Sequence, residues 1–248
     1  MMKILLTNDD GYDSEGLRAV ADLFKGEYEI TVVAPDNQRS ASSHSITLPP
    51  SVLPCREVEG NGYKAYAVTG SPADCVKVGL TLLCKTPDLV ISGINNGENL
   101  GSDILYSGTV SAATEAAYYG VRAVALSLDD KKAVYADYFK CAEFIKRNLN
   151  EIMRMELPPR TVLNVNFPKG SPLGVKVVRM NTQRSFIDDY KFIDETTVYP
   201  GGYRLFDGLD TDSDEWFCHA GYITVTPLQL DRTDRTALDR IAETGFKL

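Results

Sequence analysis

Along the chain, short apolar runs alternate with stretches whose apolar residues recur every three or four positions. Ile4–Leu6 reads as a buried strand. In the SEGLRAVADLFKG that follows, Leu17, Val20, Ala21 and Phe24 fall at i, i+3, i+4 and i+7, which is one face of a helix, and Gly26 can end it. Tyr28–Pro35 is a second buried strand, followed by the polar loop DNQRSASSHS. The stretch Thr47–Val68 is mixed and closes in YKAYAVTG, a plausible strand. Ser71 as N-cap and Pro72 at the first helical position open a helix. Pro87–Gly93 is a further buried strand. The long polar loop INNGENLGSDILYSG leads from it to a helix of small residues, TVSAATEAAYYG. VRAVALSL, RTVLNVNFP and GVKVVRMN read as strands, with a long amphipathic helix over Tyr135–Met153.

Alternation of strand and helix up to about Asn166 predicts an α/β fold, a doubly wound, Rossmann-like, mostly parallel sheet covered on both faces. After Arg184 the pattern breaks. From Ser185 to Gly221 turn signals (PGG, DG, TDSD) mix with Phe186, Tyr190, Phe192, Tyr199, Tyr203, Phe206, Trp216 and Phe217. Long irregular segments of this kind usually carry function or contacts, and rings at such density are common at protein–protein interfaces. The expected organisation is a catalytic core over 1–184 and, over 185–248, a C-terminal oligomerisation arm with a final strand (YITVTPL) and helix (RTALDRIAETG), all in one continuous domain.

Composition narrows the function. The formal net charge of −8 argues against a nucleic-acid polymer or an anionic membrane as partner. It leaves room for a small anionic substrate, because a bound metal reverses the local sign. No apolar run approaches a membrane span, and the N-terminus lacks the apolar core of a signal peptide. Five cysteines without C-x-x-C spacing read as reduced thiols of a cytoplasmic protein. With only two histidines, a His-rich metal cluster is excluded.

Doubly wound sheets bind ligands beyond the carboxyl ends of their strands. The first strand delivers Asn8, Asp9 and Asp10 there, and the second the loop with Arg39 and Ser40. The strand ending at Ser92 delivers Asn95, Asn96 and Asn99, then Ser107, Gly108 and Thr109 at a helix start. These are oxygen ligands and hydrogen-bonding groups. Neighbouring strand residues face opposite ways, so Asp9 and Asp10 can share a site only where the strand has ended, as Gly11 suggests. Two carboxylates so close repel, and one stays protonated unless a cation lies between them. Oxygen-only ligands suit Mg²⁺ or Mn²⁺. The competing reading is that NDDG is a polar turn. Ser107-Gly108-Thr109 at a helix start suits an anion; the competing reading is an ordinary cap. His44 reads either as an acid or phosphate contact or as a solvent-facing loop residue. Trp216 reads as packing or interface material, with base stacking as the alternative. No G-x-G-x-x-G and no P-loop occurs.

TNDDG, VVAPDNQRS, SHSITL, GSPADCV, PDLVISGINNGENLG, YSGTVSAATEA and GYITVTPL occur in this order. Together they resemble the SurE family, survival-protein nucleotidases that release phosphate from nucleoside monophosphates. The resemblance implies Asp9, Asp10, Ser40 and Asn95 as ligands of one divalent metal per subunit, Mg²⁺ or Mn²⁺. It implies Asn99, Ser107, Gly108 and Thr109 as the phosphate-facing set, with Asp9, Asp10, Asn99 and Ser107 in catalysis. It also implies a homodimer or homotetramer built by exchange of the arm and C-terminal element. The expected activity is a 5′-nucleotidase, with 3′-nucleotidase and short-chain exopolyphosphatase activities as further expectations. The chain departs from the family at Asn96 and Glu98, often Ala and Pro, and at Ala41, often Gly. Two other classes compete. A nucleotide-sugar transferase would need an acceptor cleft, usually in a second α/β half. A non-catalytic nucleotide-binding assembly protein would be suggested by loss of an acidic ligand, and no ligand is missing.

Overall fold

The computed structural model describes residues 1–244. Its elements run β1 (Lys3–Thr7), α1 (Glu15–Phe24), β2 (Glu29–Pro35), β3 (Cys55–Val58), β4 (Lys64–Val68), α2 (Pro72–Val78), β5 (Leu89–Asn96), α3 (Gly108–Tyr118), β6 (Arg122–Leu128), α4 (Tyr135–Arg154), β7 (Thr161–Phe167) and β8 (Val175–Val177). Four short strands follow, β9 (Phe186–Asp188), β10 (Lys191–Phe192), β11 (Val198–Tyr199) and β12 (Gly202–Arg204). The chain then forms α5 (Asp214–His219), β13 (Ile223–Gln229) and α6 (Arg235–Thr244).

Nine strands make one sheet in the order β3-β4-β2-β1-β5-β6-β7-β13-β8. From β4 to β7 all neighbours are parallel; β3 and β13 attach antiparallel, to β4 and β7. This is the doubly wound, mostly parallel sheet expected from the alternation. Its strands are apolar on both faces because helices cover both. In β1 the period of two sends Ile4 and Leu6 into a core shared with α1 and α4, and Leu5 into a second core shared with α2 and α3. On α3 the buried Ala112, Ala113, Ala116 and Ala117 let the helix lie close to the sheet.

Connections leave β1 and β5 in opposite directions along the sheet, which opens a crevice at their carboxyl ends. The units β5–α3–β6 and β6–α4–β7 run in the same direction yet cover opposite faces, so they have opposite hands. The direction and face of α3 agree in hand with β1–α1–β2. Right-handed crossovers are the norm, and α4 is the exception. Lying on the α1 side, α4 brings Tyr138 to the wall of a cleft beside Asp10.

Caps tie loops to this frame. Ser14 caps α1 and also accepts a 2.7 Å hydrogen bond from Asn8 Nδ2 at the end of β1. At α2, Ser71 and Asp74 form a capping box. Asp74 also accepts from the backbone N–H and hydroxyl of Thr47, at 2.9 and 2.8 Å, and Ser71 Oγ donates to Ser45 O at 2.6 Å. The polar loop after β2 is thereby stapled to the start of α2.

The region beyond β7 differs in detail from the sequence pattern. The strand expected over 174–181 is only Val175–Val177 and pairs with β13, because the antiparallel β13 takes the place next to β7. Within the arm, β9 pairs with β12 and β10 with β11. The helix α5 carries no apolar period in the sequence, because it is short and two of its three buried positions, Asp214 and Glu215, are acidic. Ser213, Asp214, Glu215 and Cys218 are buried there, and Ser213 caps it. No residue of α6 is buried in the described chain, and Leu238 and Ile241 are exposed. Among the described residues no helix is long and apolar enough to cross a membrane.

Candidate active site

At the end of β1 the backbone turns on Asn8, whose side chain accepts from Gly11 N–H at 3.2 Å and donates to Gly11 O at 2.9 Å. This turn, closed by the Asn8 side chain, ends the strand before Asp9 and Asp10, so both carboxylates emerge at the crevice. Asn8 is fully buried and builds the turn. It is not itself a ligand candidate in this geometry.

Asp9 is buried and reaches the first turn of α3, where Thr109 Oγ1, 100 residues on, donates to its Oδ1. The N–H of Thr109 also favours its ionised form. Gly108 makes this approach possible. A Cβ there would lie 2.8 Å from Asp9 Cβ and 2.9 Å from Asp9 Oδ2. Burial pushes the Asp9 carboxyl up to about 6, the Thr109 hydroxyl opposes the rise, and the charge of Asp10 adds to it. Asp10 is also raised by burial. It accepts from Asn96 N–H at 3.0 Å and from Gln38 Nε2 at 3.3 Å, and it lines a cleft of about 220 Å³.

The loop after β2 joins this pair through Arg39 N–H, which donates to Asp9 O at 2.7 Å, and the exposed Ser40 follows. The Arg39 guanidinium turns back to Asp36 at 3.3 Å. Ser42 Oγ is buried without a partner, 2.8 Å from where a Cβ on Gly108 would stand. His44 is drawn off onto α3: its Nε2 lies 2.7 Å from Glu115 Oε2, and Lys77 Nζ holds the other oxygen at 3.3 Å. Its Nε2 is thus taken up by Glu115.

The loop after β5 begins at an irregularity between Ser92 and Asn95, the kind of strand-end device that re-aims side chains. Asn95 Nδ2 donates to Gly97 O at 2.8 Å, which leaves its side-chain oxygen open as an acceptor. Asn99 is locked on all sides. Its N–H donates to Asn166 Oδ1 at 2.8 Å, its Nδ2 to Ser127 Oγ at 2.8 Å, and its carbonyl accepts from Asn164 and Asn166 at 2.9 and 3.1 Å. Ser107 is the N-cap of α3 and accepts from Val110 N–H at 3.0 Å. Donor accounting leaves the Ser107 hydroxyl proton and the second proton of Asn99 Nδ2 for a ligand, together with the N–H of Gly108 at the helix start. Thr109 is engaged with Asp9.

The turn with Asp9 and Asp10 thus meets the Arg39–Ser40 loop, the loop of Asn95 and the start of α3. Trp216, on α5, donates its backbone N–H to Ser213 and belongs to the arm. The supports that sequence reasoning missed are Ser127, Asn164 and Asn166 under Asn99, and Ser42 beside Gly108. A signal for two of them was present: in LNVNFP, Asn164 and Asn166 share one face of an otherwise apolar buried strand.

A profile of the family described as survival protein SurE matches residues 4–186. The chain is 42% identical to a 5′-nucleotidase SurE of Pelotomaculum thermopropionicum, over 97% of this chain and 94% of that one. It is 39% identical to a 5′-nucleotidase SurE of Thermoanaerobacter sp., with both chains covered in full. Its fold is similar to the crystal structure of the SurE protein from Aquifex aeolicus, with a TM-score of 0.85, 33% identity, and coverage of 98% and 99% of the two chains.

The Asp9–Thr109 contact generates a direct test. Thr109→Val keeps the shape and removes the hydroxyl donor that favours the charged carboxylate. The Asp9 midpoint is therefore expected to rise above its value of about 6. A ¹³C carboxyl titration by NMR reads it, and an unchanged midpoint would contradict the assignment.

Proposed function

The chain belongs to the survival protein SurE family, and from that premise we propose that it is a phosphomonoesterase that hydrolyses nucleoside 5′-monophosphates to nucleoside and phosphate. The observation that carries the reading is the seating of the buried Asp9 carboxylate, with the half-buried Asp10 beside it, against the start of a helix with donors to spare. The transferase alternative asks for a second α/β half, and the described residues hold one large sheet.

The donor set fits a hard divalent cation. Asp9 and Asp10 are both raised by burial and would be held ionised by a cation. Among the described residues no group of three or more His, Cys, Asp or Glu side chains is arranged to hold a metal ion, so neutral oxygens must complete the coordination. Ser40 and Asn95 are those oxygens in our reading, and Mg²⁺ or Mn²⁺ the cation, one per subunit. Bound there, it would polarise a phosphoryl oxygen and lower the pKa of a water.

The chain's own groups do the rest. The Ser107 hydroxyl, the Gly108 N–H and the Asn99 amide donate to the oxygens of the phosphoryl group, and the α3 dipole favours its negative charge. Thr109 holds Asp9 in place. Asp10 Oδ1, engaged only by the 3.3 Å contact from Gln38, is the oxygen left to orient an attacking water. The recognised group is the phosphoryl, so 3′-monophosphates and short polyphosphates fall within the same reading. Five unpaired cysteines, four of them buried, support a reducing, cytoplasmic location.

Release of inorganic phosphate from a nucleoside monophosphate, with Mn²⁺ and with chelator, tests the activity. Asp9→Asn and Asp10→Asn are each expected to lower turnover by roughly 10²–10³-fold with the circular dichroism unchanged. Wild-type turnover in both at saturating Mn²⁺ would overturn the reading.

Thermal unfolding tests the cation. Without metal, Asp9 has a folded midpoint of about 6, above the ordinary unfolded value of about 3.9. Its contribution to stability is present below about pH 4 and lost as pH rises through about 6. Mn²⁺ replaces the proton, so it should raise Tm strongly at about pH 7.5 and little at about pH 4.5. An equal shift at both would place the cation elsewhere.

The exposed Phe186, Tyr190, Phe192 and Tyr199 of the arm and the uncovered Leu238 and Ile241 of α6 support assembly with further copies of the chain. Sedimentation at micromolar concentration is expected to show a homodimer or homotetramer. A monodisperse, active monomer would rule assembly out.

A further inference from the structure

Between Asn99 and Ser107 the site loop is gripped by residues that lie about a hundred positions further along the chain. Arg204, at the end of β12, has a largely buried side chain. Its Nη1 donates to Glu215 Oε1 at 2.6 Å. Its Nη2 donates to Asp103 Oδ2 at 2.5 Å and lies 3.2 Å from Glu98 Oε1. One guanidinium therefore bridges a carboxylate on each side of Asn99 and a third, fully buried, on α5. The planar fork of Arg can do this; a point charge cannot.

The same region adds two more attachments. Gly101 N–H donates to Asp214 Oδ2 at 3.1 Å, and Asp214 is itself fixed by the N–H groups of Asn181 and Glu215, each at 2.8 Å. Glu215 Oε2 accepts from Asn181 Nδ2 at 2.7 Å and sits 2.9 Å from where a Cβ on Gly101 would stand. The carbonyl of Asp103 accepts from the N–H groups of Tyr106 and Ser107, at 3.0 and 3.1 Å, so the position of Asp103 passes directly to the N-cap of α3. Asp129 faces Glu98 as a fourth carboxyl, and burial, with the charge of Glu98, pushes it up to about 6. Without Arg204 the buried Glu215 and its acidic neighbours would lose their shared counter-charge, a costly arrangement that proton uptake or displacement of segment 98–103 relieves.

We propose that Arg204 is a positioning residue of the phosphomonoesterase site: through Glu98 and Asp103 it holds Asn99 and the start of α3 in register with Asp9 and Asp10. The proposal rests on the phosphomonoesterase reading for its activity readout alone. It makes the arm part of the catalytic unit of its own chain, whatever further contacts the arm makes.

Three variants test it: Arg204→Gln, Arg204→Lys, and Arg204→Gln combined with Glu98→Gln and Asp103→Asn. Arg184→Gln, which breaks an exposed pair where the arm begins (Arg184–Asp188, 3.0 Å), is the control. Hydrogen exchange and nucleotidase kinetics are measured on each full-length protein. Arg204→Gln is expected to speed exchange across 99–109 while β1, β5 and β6 keep their protection, and to lower kcat by roughly 10–100-fold with a smaller change in KM. Arg204→Lys should fall between it and wild type. The triple variant, which removes two of the stranded charges, should recover part of both losses. Arg184→Gln should match wild type. Two results would overturn the proposal: kcat within about twofold of wild type for Arg204→Gln, or a rise in exchange spread evenly over the whole sheet. If the wild-type chain releases no phosphate from any nucleoside monophosphate, the functional reading falls, and exchange at 99–109 still decides whether Arg204 holds the loop.

Discussion

The carboxylate of Asp9, seated on the first turn of α3, is the contact around which the site is organised. A charge at the end of a central strand is cut off from water, and the fold answers with a hydroxyl, a backbone N–H and a helix dipole from α3. That arrangement dictates glycine at 108, because a side chain there would occupy the space of Asp9. It also brings the β1 turn and the α3 start together at the β1/β5 boundary, where the sheet divides. Burial leaves the pair short of positive charge, and in our reading a divalent cation supplies it.

Precision around that contact comes from polar groups buried below it. Asn99 is held by Ser127, Asn164 and Asn166, which stand on β6 and β7 among apolar neighbours. Polar groups in such a place are costly unless paired, and the pairs they make with Asn99 fix one geometry, with Asn164 Oδ1 alone among them left without a partner. The loop after β2 is held by the α2 capping box and by the backbone of Asp9, and the loop after β5 by this asparagine layer and by Arg204. Rigid elements thus carry each donor, as prearranged charge stabilisation requires.

The acidic balance of the chain fits the same picture. A negative protein that acts on negative phosphates must concentrate positive potential locally, and here it does so with backbone N–H groups, a helix terminus and, in our reading, a bound cation instead of lysine or arginine. Two positive side chains near the site are engaged elsewhere: Arg39 pairs with Asp36 and Arg204 serves the carboxylates of the loop.

Local patterns determined much of this molecule. The period of two in Ile4–Leu6, the helical spacing of Leu17 to Phe24 and the strand–helix alternation depend on near neighbours, and they specified the doubly wound sheet and the end of it where the site lies. The Asp-Asp-Gly turn and the Ser-Gly-Thr helix start were legible for the same reason, since turn and cap chemistry is local. What the residues do to one another depended on contacts between distant positions. Tertiary packing decided that Thr109 serves Asp9, that His44 is paired with Glu115, and that Asn164 and Asn166 lock Asn99. It also decided that α5, unmarked by any apolar period, buries its polar face against the site loop, and that α4 crosses on the face shared with α1. These follow from which surfaces meet when the sheet is assembled, and no window of neighbouring residues contains that information.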